Sequence, residues 1–153
     1  MRNLIRQLLT VLFLLKLGAL FGQEFSYPLI KNQGQVIADF IPYNWMIKDS
    51  VRGDLNNDKA EDLAIILQYK DSATILKKKD GNIERVTTHP RILIILFQYK
   101  SLKQFELAEQ TNSFILTQDE SQIADPFQSI EIKKGILNFV FTVYYGTNAY
   151  SML

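Results

Sequence analysis

The stretch that most limits what this chain can fold into is Arg91 to Tyr99, R-I-L-I-I-L-F-Q-Y, which follows directly on Pro90. It is a continuous apolar run rich in isoleucine, with no helix cap ahead of it, and it reads as a central strand buried on both faces. Such a strand needs sheet neighbours on either side and cover above and below it. The rest of the chain has to supply both.

Asp62 to Tyr69 is the first candidate neighbour. Leu63, Ile65 and Leu67 share one face, and Ala64 and Ile66 make the other face apolar too, so this is a second interior strand. Residues 72–77 and 82–87 flank Lys79-Asp80-Gly81-Asn82, where Asp-Gly supplies the left-handed backbone of a tight turn. The spacing predicts a charged, exposed hairpin. Over residues 103–110, Phe105 and Leu107 alternate with charge, which favours a strand; Ser113 to Thr117 reads as a further short strand. A loop from Gln118 to Pro126 carries Asp119, Glu120 and Asp125. Gln128 to Lys133 alternates again, Lys134-Gly135 turns the chain, and Leu137, Phe139, Phe141 and Val143 then share one face of a strong strand whose other face is marked by Asn138 and Thr142. Ahead of all these, Gln23 to Asp49 is irregular, with Pro28, Gly34 and Pro42; it predicts a strand or two joined by loops, with Trp45, Tyr43 and Met46 packed onto the sheet. The class expected is mainly β, a single antiparallel β-sheet domain in the form of a sandwich or partial barrel. Gln68-Tyr69-Lys70 recurs as Gln98-Tyr99-Lys100, a three-residue echo too short to be read as a repeat.

The first residues read as an address rather than as fold. Arg2 and Arg6 precede the apolar run Leu8 to Phe21, which ends at Gly22-Gln23, the layout of a secretory signal peptide cleaved after Gly22. At about 14 residues, interrupted by Lys16, the run falls short of the roughly 20 a spanning helix needs. Lys16 in the run and Leu20 near its end are poor fits to easy cleavage, and an uncleaved anchor is the weaker alternative. The division expected is a signal helix over 1–22 and one β-rich domain over 23–153, in the periplasm or secreted. With no cysteine there is neither a disulfide nor a lipid-anchored amino-terminal cysteine, so the domain depends on its core. Cleavage removes three of the 17 basic residues, Arg2, Arg6 and Lys16, leaving 14 against 16 acidic ones. That balance argues against a nucleic-acid partner.

One stretch has metal-binding chemistry. In Gly53-Asp54-Leu55-Asn56-Asn57-Asp58-Lys59-Ala60-Glu61-Asp62-Leu63, side-chain oxygens fall at relative positions 1, 3, 5 and 9 as Asp54, Asn56, Asp58 and Asp62, with the carbonyl of Ala60 at position 7. Calcium takes six to eight hard oxygens, and a tight loop can aim alternate side chains at one ion. The EF-hand pattern fails because its twelfth position, a bidentate glutamate, is here Ile65. The bland alternative is that the same residues form Asx turns in a solvated loop.

No serine sits in G-x-S-x-G, and His89 is the sole histidine, which excludes a zinc site built on histidines. His89, beside Pro90, reads as a surface residue. Asp119, Glu120 and Asp125 could combine with Asp54 as a carboxylate pair for glycoside hydrolysis, though loop carboxylates are more often simply solvated. Lys77-Lys78-Lys79 reads as a solvated hairpin tip, with contact to acidic polysaccharide or phospholipid as the alternative. Phe139, Phe141, Tyr144 and Tyr145 lie at strand spacing and read as packing rather than as a sugar platform.

Together, the signal layout, Pro42-x-x-Trp45, G-D-L-N-N-D-K-A-E-D-L, R-I-L-I-I-L and Ala124-Asp125-Pro126-Phe127 resemble small exported bacterial proteins of unknown function, over residues 42 to about 146. The Asp-rich stretch is similar to the integrin-type calcium loop of FG-GAP repeats, D-x-D-x-D-G-x-x-D, from which Asn56 and Lys59 depart; Lys59 stands where that pattern's glycine would relieve a positive φ, a strain of about 1 kcal/mol. The resemblance implies calcium on Asp54, Asn56, Asp58 and Asp62 and an extracytoplasmic location; it implies no activity. It also implies that the strand over 136–145 has lost its following neighbour through shortening, leaving an edge open to pairing with another chain. The reading is an exported, non-enzymatic binding or structural domain with an envelope or cell-surface partner and no membrane span after cleavage. The alternative is a hydrolase built on loop carboxylates.

Overall fold

The computed structural model describes residues 25–79, 81–99, 101, 103–119, 123–145 and 148–152. The expected signal segment and Glu120 lie outside them. Ten strands follow in order: β1 Gln33–Gly34, β2 Trp45–Gly53, β3 Asp62–Tyr69, β4 Ala73–Lys79, β5 Asn82–Thr88, β6 Arg91–Tyr99, β7 Gln104–Thr111, β8 Phe127–Lys133, β9 Ile136–Tyr145 and β10 Asn148–Met152. The only helical element among the described residues is a 3-10 turn, Ile37–Phe40.

The two apolar runs lie side by side. β3 and β6 are antiparallel neighbours at the heart of a five-stranded sheet of order β1-β7-β6-β3-β2, in the register Leu63↔Leu96, Ile65↔Ile94, Leu67↔Ile92. Because directly opposite residues share a face, these six side chains form one layer with Trp45 and Phe105, each nearly or fully withdrawn from water. The amino-terminal segment covers that layer through Phe40 and Ile30 and through Phe25 and Tyr27, whose rings pack on Tyr69 and Trp45. It is tied down by Gln110, whose Oε1 accepts from the Ile30 amide at 3.1 Å and whose Nε2 donates to the Pro28 carbonyl at 2.9 Å. On the opposite face Ala64, Ile66 and Leu93 meet Ile115, Phe127 and Ile130, with Phe139 and Phe141 beside them. Apart from Ile115, that cover is a second antiparallel sheet, β10-β9-β8. Each fully buried aliphatic contributes about 1.5 to 3 kcal/mol by leaving water, which makes the β3–β6 pair the energetic centre.

Among the described residues the architecture is mainly β and antiparallel throughout, in two packed sheets and a two-stranded ribbon, with no closed barrel. β8 runs beside the outer strand of the large sheet: Asp49 Oδ2 accepts from the Ile130 amide at 3.3 Å, and Gly53 lies so close to Ile132 that a Cβ there would come within 2.7 Å. The ribbon, β4 with β5, is an excursion between β3 and β6. The Tyr69 amide closes its neck on the Pro90 carbonyl at 2.9 Å.

Four expectations are corrected. Trp45 is buried, but Tyr43 is 97% exposed and Met46 46% exposed, so Trp45 packs alone of the three. Residues 45–53 are a full strand; their alternation is broken by a register shift between Ile47 and Asp49 and diluted by their edge position, which hid it. Ser113 to Thr117 is not a strand. Its inward alternation is real, with Ile115 and Thr117 buried, but the Leu116 and Gln118 carbonyls are taken by Arg91 and Thr88 instead of a ladder. Finally, β9 does have its neighbour: β10 pairs with it from Asn148↔Tyr145 to Met152↔Phe141.

Candidate functional site

The Asp-rich segment is the loop joining β2 to β3, closed at its base by the pair Gly53↔Asp62. Its polar side chains turn back onto its own backbone. The Asp58 amide donates to both Asp54 Oδ1 at 3.2 Å and Asn56 Oδ1 at 3.0 Å, and the Lys59 amide donates to Asp54 Oδ2 at 2.9 Å. Asp58 Oδ1 accepts from the Ala60 amide at 2.6 Å, and Asn56 Nδ2 donates to Asp58 Oδ2 at 3.2 Å. Two left-handed residues bend the chain enough to aim these amides inward, Asn57 at φ 62° and Lys59 at φ 66°. Asparagine tolerates that region, whereas lysine is strained there by about 1 kcal/mol.

Asp62 has a different part. It is fully buried, and its two oxygens reach in opposite directions, Oδ2 to the Leu55 amide at 2.8 Å and Oδ1 to the Gln98 amide of β6 at 3.1 Å. One carboxylate thus pins the start of the loop to the end of the central strand. The β8–β9 turn closes in from the other sheet. Gly135, at φ 75°, sits where a Cβ would be 3.4 Å from the Asp54 carbonyl.

The five residues singled out by spacing, Asp54, Asn56, Asp58, Ala60 and Asp62, therefore lie in one loop. Their donor atoms are hard oxygens, the chemistry calcium selects. Among the described residues no three acidic, histidine or cysteine side chains are gathered into a ready-made cage. Coordination in this loop would draw on oxygens that already accept one amide each and keep a second lone pair.

A second polar cluster was not read from the sequence. Arg91, whose side chain is 3% exposed, spreads its guanidinium over Gln68 Oε1, the Leu116 carbonyl and both oxygens of Asp125. Lys48 reaches the same carboxylate at 2.8 Å, and the Phe127 amide donates to Asp125 Oδ1 at 3.0 Å. Burial alone would raise the Asp125 pKa. The hydrogen bonds from Arg91 and Lys48, the Arg91 charge and the Phe127 amide outweigh it and hold the carboxyl at about 2. The register Gln68↔Arg91 puts both on the face of Ala64 and Ile66, so a charge at an inward alternation position was the available signal.

This cluster floors a small cleft of about 100 Å³ lined by Lys48, Gln68, Thr88, His89, Arg91, Gln118 and Asp125. His89 is exposed, with Nδ1 3.3 Å from the Tyr69 carbonyl. A carboxyl held near 2 stays ionised at neutral pH and cannot donate a proton, so Asp125 is poorly suited to general-acid work. Asp119 lies 3.4 Å from Lys77 Nζ. Of the cleft's charged side chains, Lys48 and Arg91 are both paired with Asp125. Among known proteins, no family model, no curated protein and no solved structure matches this chain.

Proposed function

We propose that the chain is an exported, non-enzymatic binding or structural domain whose β2–β3 loop takes one calcium ion as a tie between strands. The observation that carries the calcium reading is the convergence of Asp54 and Asn56 oxygens on a single amide, that of Asp58, with Asp58 itself turned into the same loop. Three carboxylates, Asp54, Asp58 and Asp62, exceed the charge of a divalent cation and favour its binding. Asp62, already bonded to β6, would transmit that binding to the core. The role is structural, because no base or nucleophile accompanies the oxygens. Export is supported by the charged start and the apolar run of residues 1–22, which ends at Gly22. Outside the cytoplasm calcium reaches millimolar levels, where a weak loop fills.

The test is a calcium titration followed by thermal unfolding, against a chelator control. At ten times the dissociation constant the midpoint should rise by roughly 5 °C. Magnesium, which prefers a rigid octahedron, should produce less. An unchanged midpoint with saturating calcium removes the metal from the proposal and leaves the Asx-turn reading of the loop.

A further inference from the structure

The β4–β5 ribbon has two faces of opposite character. Its register pairs Thr74↔Thr87, Leu76↔Arg85 and Lys78↔Ile83 on one side, and all six side chains are exposed. The other side carries Ile75 and Thr88, 8% and 4% exposed, and is docked on the body: Thr88 Oγ1 donates to the Gln118 carbonyl and Lys77 lies against Asp119. That docking fixes the first face outward.

The outward face holds two cations and two large aliphatics and no carboxylate, since Glu84 stands opposite Lys77 on the docked side. Ile83 is 72% exposed and Leu76 49%. Among the described residues neither Lys78 nor Arg85 has an ion-pair partner. Each of the two cross-strand pairs joins one cation to one aliphatic, at the roughly 5 Å spacing of opposite residues. A soluble polyanion would satisfy the cations and leave Leu76 and Ile83 in water. A lipid surface takes both, with charge at the headgroup phosphates and aliphatic side chains at the acyl boundary.

We propose that this outward face of the β4–β5 ribbon docks on an anionic lipid surface. The docking is peripheral and independent of the calcium loop, which lies on the β2–β3 connection.

The full chain tests this by sedimentation with phosphatidylcholine vesicles prepared with and without phosphatidylglycerol. The apolar run at residues 8–21 adds the same background to every variant, so the ratios between variants carry the result. Binding should favour phosphatidylglycerol and weaken as salt rises, and a wild-type signal indifferent to both overturns the proposal. Lys78→Gln with Arg85→Gln should lower affinity about 25-fold, about 5-fold per cation. Leu76→Thr with Ile83→Thr keeps charge and β-propensity and should lower it about 10-fold. Matched charge loss at the exposed Lys70 and Lys134 should leave affinity within about 2-fold. If the ribbon cation variant binds like the parent, this face is not the contact. Should the threonine variant bind vesicles undiminished, Leu76 and Ile83 do not enter the lipid and the proposal is overturned.

Discussion

Asp62 and Asp125 both use one carboxylate to join separate pieces of chain, and they do it by different means. Asp62, fully buried, is held by two neutral backbone amides, those of Leu55 and Gln98. Asp125, with 28% of its side chain exposed, is held by two cations and an amide. The first spans the β2–β3 loop and β6 within the large sheet; the second anchors the segment leading into β8 onto Arg91 of β6 and Lys48 of β2. The contrast teaches where charge is needed. Within a sheet, unpaired amides at strand ends are at hand, so a carboxylate can be satisfied without a counter-ion. Between sheets the Phe127 amide at the head of β8 satisfies Asp125 only in part, and two cations supply the rest, at a site open enough to keep part of its hydration.

Removing Asp125 should have the largest effect, because it strands a buried guanidinium. Asp125→Ala is expected to cost about 3 to 5 kcal/mol in urea unfolding, and a loss under about 1 kcal/mol would mean that the Arg91 cluster does not join the sheets. Asp62→Ala leaves two amides without acceptors and should cost about 2 to 4 kcal/mol. An equal or greater loss there than at Asp125 would reverse the ranking of the two ties. Acid separates them further. The Asp125 pKa in the fold, about 2, lies below its ordinary value of 3.8. Its stabilisation is therefore complete above about pH 4 and is lost as pH falls from there through about 2, a contribution on the order of 1 to 2 kcal/mol once partial exposure is discounted. Comparing unfolding midpoints at the two ends of that window, Asp125→Asn should show a smaller fall than the parent protein. The smallest effect is expected at Lys59→Gly. At φ 66° glycine relieves a strain of about 1 kcal/mol. A destabilised glycine variant would show that the Lys59 side chain contributes more than its backbone costs.

Periodicity made the centre of the fold legible and left its margins obscure. β3 and β6 announce themselves because their middles, Leu63 to Leu67 and Ile92 to Leu96, are apolar on both faces, and the hairpin turns at Gly81 and Gly135 because their φ values of 86° and 75° select glycine. β2 was hidden by its bulge, and 113–117 was misread because burial can alternate without a ladder. The strain at Lys59 was readable from the loop pattern. The Arg91 cluster was not, since its partners Gln68, Leu116 and Asp125 are 23, 25 and 34 residues away in sequence. Asp125 was noticed as a loop acid, yet no spacing rule says that a carboxylate will meet one particular arginine.

The closed neck of the ribbon, Tyr69 amide to Pro90 carbonyl, separates the order of assembly from the order of the chain. β3 and β6 pair from that point to Leu63↔Leu96, so the intervening residues are a loop whose length enters the closure entropy only logarithmically. The central pair can therefore form before the ribbon has found its own register. Within the stretch from Lys70 to His89, the ribbon's outward face can change its surface chemistry while the β3–β6 pair and the docked side at Ile75 and Thr88 are left as they are.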